Sequence, residues 1–326
     1  MSGADGAAPE LTPAARPTMY FVGVTTASSL IMRVFPRWAE LLDLGDCELR
    51  GIDLPLRAAA EEYVGVVEFI KGDPRSLGAL VTTHKLDLYA AARDRFDEAD
   101  AFAELMRECS SISKLDGRLR CQAKDPISSA LALEAFVPAG HWGATGGAAF
   151  LAGAGGASIA IAWALASRPA EDRPSRIVVS DIDDGRLHAL GEVLAAANTD
   201  VPVELVPCRD AAGNDAVLGG LPAGSLVANA TGLGKDRPGS PLTDAAVFPE
   251  RALAWDLNYR GDLVFLDQAR AQAAERGLTV EDGWTYFIHG WTQVIADVFH
   301  VEIPTSGPEF DRLVAAADEV RGGAAA

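Results

Sequence analysis

The chain has 326 residues, roughly twice a typical domain of about 100–200 residues, so two domains are expected. Its 28 Lys and Arg against 46 Asp and Glu give a net charge of −18, which repels phosphate backbones and anionic membranes and argues against nucleic-acid and membrane partners. With 49% hydrophobic and 23% charged residues, the composition is that of a chain that folds around a core. Cys47, Cys109, Cys121 and Cys208 form no CxxC pair and lack histidines at zinc-ligand spacing, so reduced thiols are expected, with neither metal nor disulfide scaffold. Residues 1–18 carry acidic residues and prolines in place of a basic start and apolar run, and read as a disordered tail on a cytoplasmic protein.

From Tyr20 onward short apolar runs alternate with helical patterns, the signature of an α/β fold. Strands are predicted over 20–26, 47–56 and 77–83, with helices over 33–44 and 57–73 between them. The stretch 86–106 reads as a long amphipathic helix or pair of helices, and 110–125 as two short strands around the Asp116-Gly117 turn. Pro126 then opens a helix.

No charged residue occurs between Glu134 and Arg168, a length that raises the question of a membrane span. Six of the fourteen residues from Gly143 to Gly156 are glycine. Such a run suits a buried strand, a tight turn and a helix start better than a lipid-facing helix. Further strands are predicted over 176–183, 201–208, 225–231 and 252–259, a helix over 266–277, and a last helical pattern at WTQVIADVFH (291–300).

Gly153-Ala154-Gly155-Gly156-Ala157 lies between an apolar strand and an apolar helix, the context of a dinucleotide-binding turn. Glycines there let the backbone approach a pyrophosphate, whose charge meets free N–H groups and the positive end of the helix. Asp181 closes the following strand, where a carboxylate can bind a ribose 2′-hydroxyl. Asp183 and Asp184 flank it, and no arginine stands between Asp181 and Arg186. NAD is therefore favoured over NADP.

Several segments together resemble the shikimate and quinate dehydrogenase family, over roughly residues 20–305. GALVTTHK (78–85) is similar to the family's GxNVTxPxK, one residue shorter and without its asparagine and proline; CQAKD (121–125) is similar to GxNTD; GAGGA (153–157) is the cofactor loop. NATGLG (229–234) is similar to NATPxGM, DLNYRG (256–261) to DxxYxP, and DGWTYFIHG (282–290) to DGxxMLxxQG.

The resemblance implies a Rossmann NAD-binding domain over 126–287 and an α/β substrate domain with a parallel-rich sheet over 19–125, completed by 288–326. It implies catalysis by Lys85 and Asp125. Cofactor contacts would come from Gly153, Ala154, Gly155, Gly156, Ala157, Asp181, Asp183, Asn229, Ala230, Thr231 and Gly283. Substrate contacts would come from Ser29, Thr82, Ser113, Tyr259 and His289, with His84 a further candidate.

The first-strand motif GxPxxHSxSP appears as GVTTASSLIM (23–32), which keeps Ser29 but has Ile31 at the second serine. Each unsatisfied polar group costs about 1–3 kcal/mol, so a pocket that has lost several donors disfavours a polyhydroxylated acid. The expected activity is hydride transfer between NAD(P) and a ring hydroxyl or ketone of a cyclic polyol or hydroxy acid other than shikimate. The alternative is a dinucleotide-binding sensor or scaffold without turnover. A monomer or homodimer is expected.

Overall fold

The computed structural model describes residues 11–197, 199–235 and 237–323. They divide into two compact units: the chain up to Lys124 together with the residues from Gly290 onward, and Asp125–His289.

The first unit begins β1 (Thr18–Gly23), α1 (Ile31–Leu41), β2 (Glu48–Asp53), α2 (Ala60–Gly72), β3 (Ser76–Val81) and α3 (Lys85–Ala92). It continues with β4 (Glu98–Ala99), α4 (Ala101–Met106), β5 (Ser111–Leu115) and β6 (Arg118–Gln122). The sheet order is β2-β1-β3-β5-β6-β4. Strands β1, β2 and β3 run parallel, β5 is antiparallel to β3 and β6, and β4 is parallel to β6. All of β1 is buried, as expected of a strand covered on both faces. The Asp116-Gly117 turn has positive φ at both residues, 51° and 77°, the geometry that joins tight hairpins.

In α1, Ile31, Val34, Phe35 and Trp38 form a buried stripe, as do Tyr63, Val66, Val67 and Ile70 in α2. Of the two readings of 86–106, one long helix or a pair, the structure has the pair, α3 and α4. Asp97 exchanges backbone and side-chain bonds with Leu119, and Asp100 caps α4 by accepting from Ala103 N at 2.7 Å. Pairing with β6 and a new N-cap thus override the helical periodicity.

The disordered tail expected over 1–18 lies outside the described residues up to position 10. From Leu11 it is anchored, in contrast to the expectation. Leu11 and Ala14 pack against the core, Ala14 N donates to Asp73 Oδ2 at 3.1 Å, and Arg16 pairs with Asp46 and Glu48.

The second unit contains α5 (Asp125–Phe136), α6 (His141–Thr145), β7 (Ala149–Ala152), α7 (Gly156–Ala166), β8 (Ile177–Asp181), α8 (Asp184–Ala196), β9 (Val203–Pro207) and α9 (Ala211–Gly219). It ends with β10 (Leu226–Asn229), β11 (Leu253–Asp256), α10 (Val264–Arg276), β12 (Thr279–Glu281) and the start of α11 (Trp284–Phe299), along which the chain returns to the first unit. All six strands are parallel in the order β12-β11-β10-β7-β8-β9. That is the doubly wound order of a Rossmann domain, with its switch point between β7 and β10.

The uncharged stretch before Arg168 becomes the buried strand β7 and the helix α7, whose buried residues include Ile159, Ala160, Ile161, Ala162 and Leu165. No helix among the described residues is long and apolar enough to cross a membrane.

The last helical pattern begins earlier than WTQVIADVFH, at Trp284, and a further helix, α12 (Pro308–Gly322), follows. Phe310, Leu313, Ala317 and Val320 form its buried face. Trp38 Nε1 donates to Leu313 O at 2.8 Å, tying α12 to α1 in the first unit.

Asp73, after α2, accepts from the Tyr20 hydroxyl at 2.7 Å and from the N–H groups of Ala14 and Arg75. Burial pushes its pKa up, but those three bonds and the Lys114 ammonium outweigh it and hold the carboxyl below its ordinary value. A depressed carboxyl stabilises the fold above its unfolded pKa and loses that contribution as pH falls through the folded pKa. Asp73→Asn is expected to lower the urea midpoint at pH 7 by the equivalent of about 1–3 kcal/mol. The gap to wild type should narrow below about pH 4; a constant gap across that range would contradict the assignment.

Candidate active site

The dinucleotide side of the site is built where β7 and β10 diverge. Gly153 follows β7 with φ of 101°, and a Cβ there would lie 2.8 Å from the Ala230 carbonyl oxygen. Only glycine tolerates both the conformation and the contact. Ala230 N in turn donates to Ala152 O at 2.8 Å, so the cofactor loop and the 229–231 loop meet backbone to backbone.

Gly155 caps α7 with an extended backbone, φ −83° and ψ −177°. No strain requires glycine here, and nothing lies within 4 Å of the position a Cβ would take. Gly155, Gly156 and Ala157 are partly exposed, so the missing side chain leaves open space at the N-terminus of a buried helix. The residues present fit a pyrophosphate.

Asp181 accepts from Ala154 N at 2.7 Å through Oδ2 and from Asp183 N at 2.9 Å through Oδ1. It braces the glycine loop from the end of β8. Asp183 caps α8, accepting from Gly185 N and Arg186 N.

The sequence places no arginine ahead of Arg186 near these acids, but the fold does. Arg209, just beyond β9, donates to Ile182 O and to Asp184 Oδ2, the latter at 2.8 Å. It was missed because it arrives from the neighbouring strand rather than along the chain. A basic residue directly after the third strand of the unit is the available sequence signal.

The other wall is a polar network at the ends of β10 and β11. Asn229 Oδ1 accepts from Thr231 N and Oγ1, while its Nδ2 donates to Leu233 O and to Asp256 Oδ1. Asn258 donates from its backbone to Asp256 Oδ1 and from its side chain to Leu233 O.

Asp256 is fully buried, and its Oδ2 has no hydrogen-bond partner. Burial pushes its pKa up to about 6, against the bonds from Asn258 and Asn229 and with help from nearby Asp282. Asp256 and Asn258 are absent from the sequence-derived set because neither bears on a ligand through spacing.

Gly232 and Gly261, which stand where the family motifs have proline, have φ of 75° and 98°. Proline is locked near −65°, so both loops take a course the family's prolines would forbid. Gly261 also packs on the 229–234 loop: a Cβ there would lie 2.3 Å from Gly234 O.

Gly283 is required for packing, since a Cβ would lie 2.0 Å from Leu257 O. The Tyr259 ring is held by Trp284 and Phe287, with centroids 5.4 and 4.7 Å away. His289 is buried, and burial pushes its pKa down to about 4, which leaves a neutral imidazole at physiological pH. Asp125 is buried at the start of α5.

In the first unit, Thr82 and Lys85 lie at the carboxyl end of β3. Thr82 Oγ1 donates to Val22 O at 3.3 Å, and Thr82 flanks Gly23 together with Thr26. Lys85 opens α3; its N–H bonds to Thr82 O and its carbonyl accepts from Cys109 N. Ser29 ends a 3₁₀ turn and is partly exposed.

Ser113 and His84 lie in the interior of the first unit. Ser113 is buried in mid-strand and its hydroxyl donates to Gln122 Oε1 at 2.8 Å, so it is taken up inside the sheet. Ser110 is the serine at the sheet end: its carbonyl accepts from Val81 N, and its Oγ accepts from Lys124 N at 2.7 Å. His84 is also interior, fully buried with Nδ1 3.0 Å from the Tyr63 hydroxyl. Lys85 and Asp125 belong to different units.

The raised pKa of Asp256 has a definite sign. Its folded state holds a proton that the unfolded chain releases near the ordinary carboxyl value, so stability falls as pH rises from about 4 to 6. Relative to Asp256→Asn, the wild type should lose on the order of 3 kcal/mol across that window. Thermal midpoints of both proteins between pH 4 and 7 test this; parallel curves would contradict it.

No family model matches the chain. It is 29% identical over 306 residues to the shikimate dehydrogenase (NADP(+)) of Methylocella silvestris, covering 93% of this chain and 97% of that protein. Among solved structures it is similar to shikimate 5-dehydrogenase of Thermus thermophilus in complex with NADP(H) and shikimate, with TM-score 0.67, 23% identity and coverage of 93% and 99%. It is also similar to quinate dehydrogenase of Corynebacterium glutamicum in complex with NAD, with TM-score 0.70, 20% identity and coverage of 93% and 99%. With a Rossmann unit whose glycine loop sits at the switch point, the chain is similar over nearly its whole length to a shikimate dehydrogenase and shares the fold of the solved shikimate and quinate dehydrogenases.

Proposed function

We propose that the protein is an NAD(P)-dependent dehydrogenase that oxidises a ring hydroxyl, or reduces the corresponding ketone, of a small cyclic polyol or hydroxy acid. The observation that carries this reading is the open cradle at Gly155 above the N-terminus of α7, braced by Asp181 and bounded by the Asn229–Thr231 loop. The second unit, Asp125–His289, is the cofactor-binding part and the first is the substrate-binding part. A bound nicotinamide dinucleotide supplies the hydride acceptor or donor. The chain's own residues bind it, shape its surroundings and move the proton.

Oxidation of an alcohol requires removal of its hydroxyl proton, and the reverse reaction needs a donor aimed at the carbonyl oxygen. Lys85 takes both roles, with Asp125 as the carboxylate that the family motif pairs with the lysine. Thr82, Ser29, Tyr259 and the neutral His289 are the groups that orient the ring. Ile31 is fully buried at the start of α1, so the position of the family's second serine holds a core side chain. That loss favours a ring other than shikimate, although the Methylocella relative carries the name shikimate dehydrogenase. The carboxylates Asp181, Asp183 and Asp184 favour NAD over the 2′-phosphorylated cofactor.

NAD and NADP reduction measured over a panel of cyclitols, shikimate, quinate and simpler hydroxy acids tests the reading. Turnover with at least one ring alcohol is expected. Tight NAD binding with no turnover would instead support the sensor alternative. With a substrate in hand, Lys85→Ala should lower kcat/KM by about 10²–10⁴-fold while leaving the NAD Kd within about twofold of wild type. An activity left intact by that change would remove Lys85 from the mechanism.

A further inference from the structure

Three carboxylates stand after β8, but they do different work. Both oxygens of Asp181 accept backbone N–H groups, from Ala154 and Asp183, and Asp183 accepts from Gly185 and Arg186. These two are bound into the glycine loop and the start of α8. Asp184 is the one whose carboxylate meets a cation, Arg209, at 2.8 Å. Arg209 stands beside β8 because β9 is its neighbour in the sheet: Cys208 N donates to Asp181 O at 3.0 Å, and the next residue reaches across to Ile182 and Asp184.

We propose that Asp184 is a latch on Arg209, and that this pair decides whether the protein accepts a dinucleotide carrying a 2′-phosphate. The inference rests on the dinucleotide reading of the second unit. An arginine near the end of the second Rossmann strand can accommodate a 2′-phosphate, whereas a carboxylate there favours the unmodified ribose. This chain has both, engaged with each other, so the charge of Arg209 is spent on Asp184.

The side chains are 65% and 64% exposed. An exposed ion pair is held weakly, and a phosphate offers a guanidinium a bidentate partner of higher charge. Removing Asp184 therefore both frees Arg209 and deletes a like charge. Asp181, by contrast, is a poor lever on specificity. Its loss would loosen the glycine loop itself and weaken both cofactors.

The test is direct binding of NAD and NADP, followed by calorimetry, to the full chain and to Asp184→Ser, Arg209→Ala and the double variant. Serine is too short to hold Arg209, and Asp183 remains to cap α8. In Asp184→Ser the ratio of the NADP Kd to the NAD Kd should fall by about five- to twentyfold, the scale of one released pair plus one removed repulsion. Adding Arg209→Ala should return the ratio to the wild-type value. If NAD binds but the ratio does not move in Asp184→Ser, or if the gain survives loss of Arg209, the latch is wrong. If none of the four proteins binds either dinucleotide, the cofactor reading fails and the latch with it.

Discussion

The contact between two backbones at Gly153 and Ala230 is the constraint on which the second unit depends. In a doubly wound sheet the chain leaves the central pair of strands in opposite directions, and the crevice this opens is where a ligand can reach main-chain N–H groups. Here the two loops that border the crevice touch at a point where a Cβ would lie 2.8 Å from a carbonyl oxygen. The contact sets the height of the glycine loop relative to the 229–231 loop. Asp181 then fixes the loop from the side by holding Ala154 N, and the buried Ser158 hydroxyl donates back to Gly153 O. The loop is therefore shaped before any cofactor arrives, which lowers the ordering cost of binding.

The opposite wall is held by hydrogen bonds rather than by contact. Asn229, Thr231, Leu233, Asp256 and Asn258 share one set of donors and acceptors. A buried network of this kind holds its shape while every member is satisfied and becomes costly where one is not. The unpartnered oxygen of Asp256 is the point of tension, and protonation relieves it. Glycines at 232 and 261 let these loops run through a left-handed backbone that proline could not follow. The loops pack against each other where Gly261 approaches Gly234.

Much of the chain's acidity serves the backbone. Asp73, Asp100, Asp172, Asp181, Asp183 and Asp210 all accept main-chain N–H groups at turns and helix starts. A carboxylate satisfies the orphaned donors there and meets the positive end of the helix dipole. The net charge of −18 is accordingly distributed over structural sites rather than gathered for a cationic partner. Asp97 and Asp172 also pair with cations, Lys71 and Arg168, as Asp184 pairs with Arg209.

The sequence by itself determined the alternation of strands and helices and the glycine loop with its strand and helix. Each of these is written in local periodicity or in a short motif, and local rules suffice to read them. Where long-range contacts compete, reading along the chain failed. The pairing of Asp97 with Leu119 decided between one helix and two over 86–106, and Leu11 and Ala14 found a core that a tail would not have. Arg209 is the clearest case. Its neighbourhood with Asp184 follows from the order β7-β8-β9 in the sheet, and a parallel sheet brings together strand ends that are separated in sequence by a whole crossover helix.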